Sequence, residues 1–181
     1  MINANNFKSV NDTYGHECGD KTLVSIAKCI LRAYREYGWC FRVGGDEFCV
    51  ILRPNMFKKL VEESPKCDVY LMAEKLMDRL DEQIQLRASR DDNNCLQYGV
   101  SQGYGIYYNP AEYPSMKNIM PIDKVIKLAD MRMYRKKKQW KAALAENPEL
   151  KHEDFRQQDK MRVKVAYESK NPELIENSGL E

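Results

Sequence analysis

Residues 44 to 48 read Gly-Gly-Asp-Glu-Phe and stand between two apolar stretches, Trp39–Val43 and Phe48–Leu52, each of which suits a short β-strand. The pattern predicts a β-hairpin with carboxylates at its tip. Gly44 and Gly45 permit positive φ and a close approach of backbone to a ligand. Asp46 and Glu47 project two oxygen donors from the turn, the ligand type that a hard divalent cation takes. Gly-Gly-Asp also serves as plain hairpin punctuation, so the turn alone leaves a metal and phosphate site and simple chain reversal both open.

Upstream runs a polar stretch from Asn5 to Asp20, punctuated by Gly15 and Gly19. An amphipathic helix follows, with Leu23, Ile26, Ala27, Ile30, Leu31 and Tyr34 at helical spacing. The amide of Asn11 and the carboxylate of Asp20 can together read the donor and acceptor edge of a guanine, Asp20 accepting from N1 and the exocyclic amine. The structural alternative makes Asp20 the helix N-cap and Asn11-Asp12 a turn, and the two roles can coexist.

With both segments in view, the chain resembles the GGDEF domain family, the diguanylate cyclases that condense two GTP into cyclic di-GMP. The family pattern F-K-x-x-N-D-x-x-G-H-x-x-G-D stands from Phe7 to Asp20 without a mismatch. Ser101-Gln102-Gly103 matches the later S-x-G strand, and Ala129-Asp130 through Tyr134 matches the last helix. The resemblance covers residues 3 to 141, and the domain is expected over residues 1–144.

The resemblance implies a palm-like nucleotidyl cyclase fold in which each domain holds one GTP. Two domains must then face each other as a homodimer, because a monomer cannot close the ring. Carried over residue by residue, Asp46 and Glu47 are catalytic and hold Mg²⁺ or Mn²⁺ together with Asn3 and the Ala4 carbonyl. Asn11 and Asp20 read guanine, while Lys8, the backbone near Phe7, and Gly44 and Gly45 meet the nucleotide. Lys137 and Lys141 reach the terminal phosphates. A sensory domain would normally precede such a module.

Three departures stand out. Asn3 occupies the place of the family's first metal-binding Asp, which removes one negative charge beside a divalent ion. Only Met1 and Ile2 precede Asn3, so the first strand is expected to be almost absent and the sheet to carry an open groove. The product-inhibition motif R-x-x-D is degenerate: Arg35 is present, but Gly38 stands where the Asp belongs. A cyclase weakened by Asn3 is therefore one reading. A catalytically inactive module that signals through GTP or cyclic di-GMP occupancy is the alternative, and a palm-type polymerase is a third.

Composition narrows these classes. The 29 basic and 27 acidic residues leave a formal charge of +2, which gives no general case for nucleic acid or membrane as a partner. The basic residues between Arg132 and Lys141 would, as an isolated run, be read as a solvated helix face. Six cysteines lack C-x-x-C spacing and fit buried, reduced thiols in a cytoplasmic protein. No apolar run approaches 18 residues. His16 is assigned to loop packing.

The remaining chain predicts a connection or short helix over 54–66, a helix over 68–86 with Val69, Leu71, Met72, Leu76, Leu80 and Ile84 on one side, and a charged loop over 87–94. A long bent strand is expected over 95–108, and a last helix over 122–140 with Val125, Leu128, Ala129 and Met133 inward. This order gives an α/β (α+β) sandwich, a mainly antiparallel central sheet flanked by helices. Residues 145–181 shift to charged and polar composition and are expected to form a tail, part surface helix over 149–167 and part disordered over 168–181.

Overall fold

The computed structural model describes residues 1–53, 69–90, 99–111, 114–115, 117–150, 154–155, 157–158 and 161. The expectations for 54–66, for 91–98 and for most of 151–181 lie outside them.

The hairpin forms as predicted. β2 (Gly38–Arg42) and β3 (Glu47–Leu52) pair antiparallel, with Gly38 opposite Leu52 and Arg42 opposite Phe48. β1 (Ile2–Ala4) is a three-residue strand that fills the slot between β3 and β4 (Val100–Gln102), so the sheet runs β2-β3-β1-β4 with every neighbour antiparallel. Short as it is, β1 has ladder partners on both sides. Met1 extends the pairing, its amino group donating to the Gly103 carbonyl at 2.8 Å and its own carbonyl accepting from Gly103 N–H at 3.0 Å.

Strand alternation divides the sheet into two faces. Ile2, Ala4, Phe48 and Val100 turn to one side, where α2 (His16–Tyr34) and α3 (Val69–Ala88) cover them with Leu23, Ile26, Ile30, Leu76, Leu80 and Ile84. Each such side chain, taken from water, contributes about 1.5–3 kcal/mol of transfer free energy. Gln102 is the polar member of this face. It is buried, accepts from Tyr34 Oη at 3.1 Å, and donates to the Met77 carbonyl and Asp81 Oδ1, both at 3.0 Å. Asn3, Glu47 and Ser101 turn the other way, toward α4 (Ile122–Glu146).

Several expectations need correction. The stretch from Phe7 to Asp20 is helical, α1 (Phe7–Tyr14) running into α2 through Gly15 at φ 83°. Asn11-Asp12 is therefore inside a helix, not a turn, and Asp20 sits one turn into α2, whose N-cap is Gly15. His16, expected to pack a loop, is exposed at the start of α2. Leu31 and Leu71, placed inward by spacing, face solvent, while Cys29, Ala33 and Met77 are buried instead.

The long strand over 95–108 shrinks to Val100–Gln102 among the described residues, because its neighbour β1 offers only three residues to pair with. Gly103 and Gly105 have a different role from a bend. A Cβ on Gly103 would collide with backbone atoms of Met133 and Ala129, and one on Gly105 would stand 2.5 Å from the Val125 carbonyl oxygen. Their bare Cα atoms let α4 lie directly on the chain. Val125, Ala129 and Met133 are buried there as predicted, and further along α4 the buried Trp140 meets Phe155 edge-on at 5.3 Å.

Cys18, Cys29, Cys40 and Cys49 are free thiols, and burial pushes the Cys29 and Cys40 thiols upward from their ordinary pKa. Among the described residues no helix is long and apolar enough to cross a membrane.

Candidate active site

Asn3 and Glu47 are register partners across the β1–β3 ladder and lie on the face that α4 covers. Opposed positions in an antiparallel pair bring Cβ atoms within about 4.5–5.5 Å, so Asn3 and Glu47 stand side by side at the base of the hairpin turn. Asp46 is tied to the same spot, since its carbonyl accepts from Ala4 N–H at 2.9 Å. β1 thus carries Asn3 and Ala4 directly under the turn.

Lys137 reaches this spot from α4. Its Nζ donates to Asn3 Oδ1 at 2.5 Å and stands 3.6 Å from Asp46 Oδ2, with the Lys137 and Asp46 side chains 22% and 29% exposed. Two oxygen donors, one from β1 and one from the hairpin turn, therefore converge on one cationic point. An amide oxygen and a carboxylate oxygen are hard donors of the kind a divalent ion takes, so the pair fits a cation. Among the described residues no three His, Cys, Asp or Glu side chains gather at one point, so any metal here would rest on a mixed donor set.

The turn is fixed by Arg42, a residue that sequence reasoning passed over. Its Nη2 and Nε donate to the Gly45 carbonyl at 2.8 and 3.2 Å, and Nε lies 3.3 Å from the Gly44 carbonyl. The Glu47 carbonyl accepts from Val43 and Gly44 N–H. Neither Gly44 nor Gly45 uses the positive φ that glycine permits. At Gly45 a Cβ would meet only open space, which leaves access for a ligand.

Asn5, read as a mild substitution, is buried and accepts from Ser101 Oγ at 2.6 Å, bracing β1 against β4 beside Asn3. The serine of the Ser-Gln-Gly match was the available signal.

A second cluster lies where α1 crosses α2. Asn11 Oδ1 is buried with no hydrogen-bond partner, and it sits where a Cβ of Gly19 would be. Phe7 closes the same spot, its ring 3.3 Å from that Cβ position. An orphaned buried acceptor is costly and marks a place where a donor belongs. Asp20, exposed on α2, stands at the mouth of a cleft of about 360 Å³ between α2 and the hairpin, whose walls include Leu23, Ala27 and Cys40. This cleft does not include Asn3 or Asp46; Asn3 lies on the opposite face of the sheet, the one α4 covers. Convergent donors, and not cavity volume, decide cation binding.

The other expected residues are dispersed. Lys8 is exposed on the first turn of α1, whose N-terminus has no side-chain cap, and Lys141 is exposed one turn beyond Lys137. Arg35 is exposed at the C-terminus of α2, where its carbonyl accepts from Arg53 Nη2 at 3.2 Å.

Comparison with known proteins agrees with this architecture. The family model for "Diguanylate cyclase, GGDEF domain" matches residues 1–143. The chain belongs to that family. It is 27% identical over 144 residues to diguanylate cyclase DosC of Escherichia coli K12, an alignment covering 80% of this chain and 28% of that protein. It is 33% identical over 138 residues to the probable diguanylate cyclase DgcF of the same strain, covering 76% and 38% respectively. Against diguanylate cyclase TpbB of Pseudomonas aeruginosa UCBPP-PA14 the identity is 30% over 139 residues, covering 77% and 27%. The chain thus spans between 27% and 38% of the length of these relatives. No solved structure matches it.

Proposed function

We propose that this domain binds GTP with Mg²⁺ or Mn²⁺ and, as a homodimer, condenses two GTP into cyclic di-GMP, at a rate held down by Asn3. The observation that carries the reading is the convergence of Asn3 Oδ1 and Asp46 Oδ2 on one cationic point beneath the hairpin turn, in a chain of this family.

In this reading Asp46, Glu47, Asn3 and the Ala4 carbonyl hold the metal, which supplies charge stabilisation for the α-phosphate under attack and for departing pyrophosphate. The hairpin backbone at Gly44 and Gly45 and the uncapped N-terminus of α1 at Phe7 and Lys8 receive phosphate oxygens. Asn11 Oδ1, the orphaned acceptor, takes a guanine donor, and Asp20 takes the rest of that edge. Each domain then presents its 3′-hydroxyl to the α-phosphorus held by the other. Positioning supplies most of the rate gain, since two substrates are brought into line that would otherwise meet by diffusion.

Asn3 offers an oxygen but no charge. Loss of one carboxylate ligand is expected to remove about 3 kcal/mol of transition-state stabilisation, roughly a hundredfold in rate. Competition with a fluorescent GTP analogue tests the nucleotide half of the proposal: GTP should displace it at about ten- to a hundredfold lower concentration than ATP. Equal displacement by the two nucleotides would refute it.

A further inference from the structure

The ammonium group of Lys137 stands where a cation ligated by Asn3 and Asp46 would stand. The last helix that carries it is not free to retreat. Val125, Ala129 and Met133 are buried under it, and Gly103 and Gly105 bring it onto the chain so closely that a single methyl group would collide. Only the four-carbon stem of the lysine can move the charge. Other basic residues of α4 are engaged elsewhere: Arg132 donates to the Tyr104 carbonyl at 2.8 Å, and Lys138 lies 4.8 Å from the centre of the Tyr134 ring.

We propose that Lys137 is a built-in competitor for the metal: without nucleotide its ammonium occupies the position between Asn3 and Asp46, a divalent cation enters there only by displacing it, and the phosphates of an incoming nucleotide ease that entry by drawing Lys137 away. The inference rests on the functional reading above and adds an order of binding to it. Three positive charges cannot share two oxygens, because an ammonium and a divalent ion a few ångströms apart repel strongly where water is partly excluded. With Asn3 neutral, Asp46 and Glu47 supply two negative charges at the turn, and Lys137 cancels one of them. The nucleotide-free site is therefore a weak metal site, and nucleotide and metal assist each other's binding reciprocally.

The test is Mn²⁺ binding to the full chain without nucleotide, followed by the electron paramagnetic resonance signal of free Mn²⁺. Lys137→Met keeps the aliphatic stem and removes the charge. It should bind Mn²⁺ on the order of tenfold or more tightly than the parent, while Lys138→Met should match the parent. An affinity of Lys137→Met equal to or below that of the parent overturns the proposal, and so does an equal gain in Lys138→Met, which would mark a general charge effect. A second measurement needs no variant: acylation of Lys137 in the unaltered protein, read by mass spectrometry, should rise several-fold when Mn²⁺ is added, and unchanged labelling overturns the proposal even if Lys137→Met does not fold. GTP selectivity and cyclic di-GMP synthesis combined with unchanged Mn²⁺ affinity in Lys137→Met would sink this inference alone. Tighter Mn²⁺ binding in a protein that does not distinguish GTP from ATP would sink the functional reading alone.

Discussion

Gly19 yields the space of a side chain to Asn11: the Asn11 Oδ1 lies inside the volume that a Cβ at position 19 would fill. The atom in the way is the end of a side chain and not backbone. Gly19→Ala should therefore be accommodated by moving the Asn11 amide, at a modest cost in stability, while the preference for GTP over ATP collapses toward unity. Thermal unfolding together with the competition assay separates the two effects; a folded variant with unchanged preference would show that Asn11 does not read the base.

Gly103 makes the contrasting case. Its missing Cβ would strike the backbone of Ala129 and Met133, which cannot rotate aside. Gly103→Ala should cost about 1–3 kcal/mol or more, because α4 must lift from the sheet. Denaturant unfolding gives the number, and a loss below 0.5 kcal/mol, on the order of an ordinary surface substitution, would contradict the packing described.

Restoring the family's inhibitory Asp should fail here. Gly38 is buried in β2, and a Cβ would press on the backbone of Ile51 and Leu52 across the ladder. Gly38→Asp is expected to destabilise the hairpin without creating an Arg35-dependent site for cyclic di-GMP. Calorimetric titration checks this, and submicromolar binding that Arg35→Ala abolishes would overturn it.

Tyr104 gives a pH signature. Burial, with Glu74 nearby, pushes its phenol up to about 12 from the ordinary 10, against a smaller opposing effect of Arg132. The folded state thus holds this proton more tightly than the unfolded chain, so the contribution to stability is full below pH 10 and is lost as pH rises from there through about 12. In ultraviolet titration of the native protein, this phenol among 11 tyrosines should ionise late, and Tyr104→Phe should remove that late component. Identical titration curves for parent and variant would contradict the assignment.

Much of the fold was legible because it rests on local pattern. The apolar stretches on either side of the Gly-Gly-Asp-Glu-Phe turn placed β2 and β3 to within a residue, and the spacing of Val125, Ala129 and Met133 gave the buried side of α4. What escaped depends on partners distant in the chain. The length of β4 is set by β1, about a hundred residues earlier, and the glycines at 103 and 105 answer to α4 and not to their own strand. At the candidate site, residue types could be read from the turn and the helix-spaced basic residues. The contact between Lys137 and Asn3, separated by 134 positions, could not, because helical spacing says which residues share a face and not what lies beneath it.

In the proposed function the site beneath the hairpin turns GTP into cyclic di-GMP and is limited by the amide at position 3. Chromatography of the products formed from GTP and Mg²⁺ by the parent protein and by Asn3→Asp, at equal concentration, tests it most directly. Slow cyclic di-GMP formation is expected from the parent, and a rate on the order of a hundredfold higher from Asn3→Asp. Vigorous synthesis by the parent with no gain in the variant, or no product from either while both are folded, would contradict it.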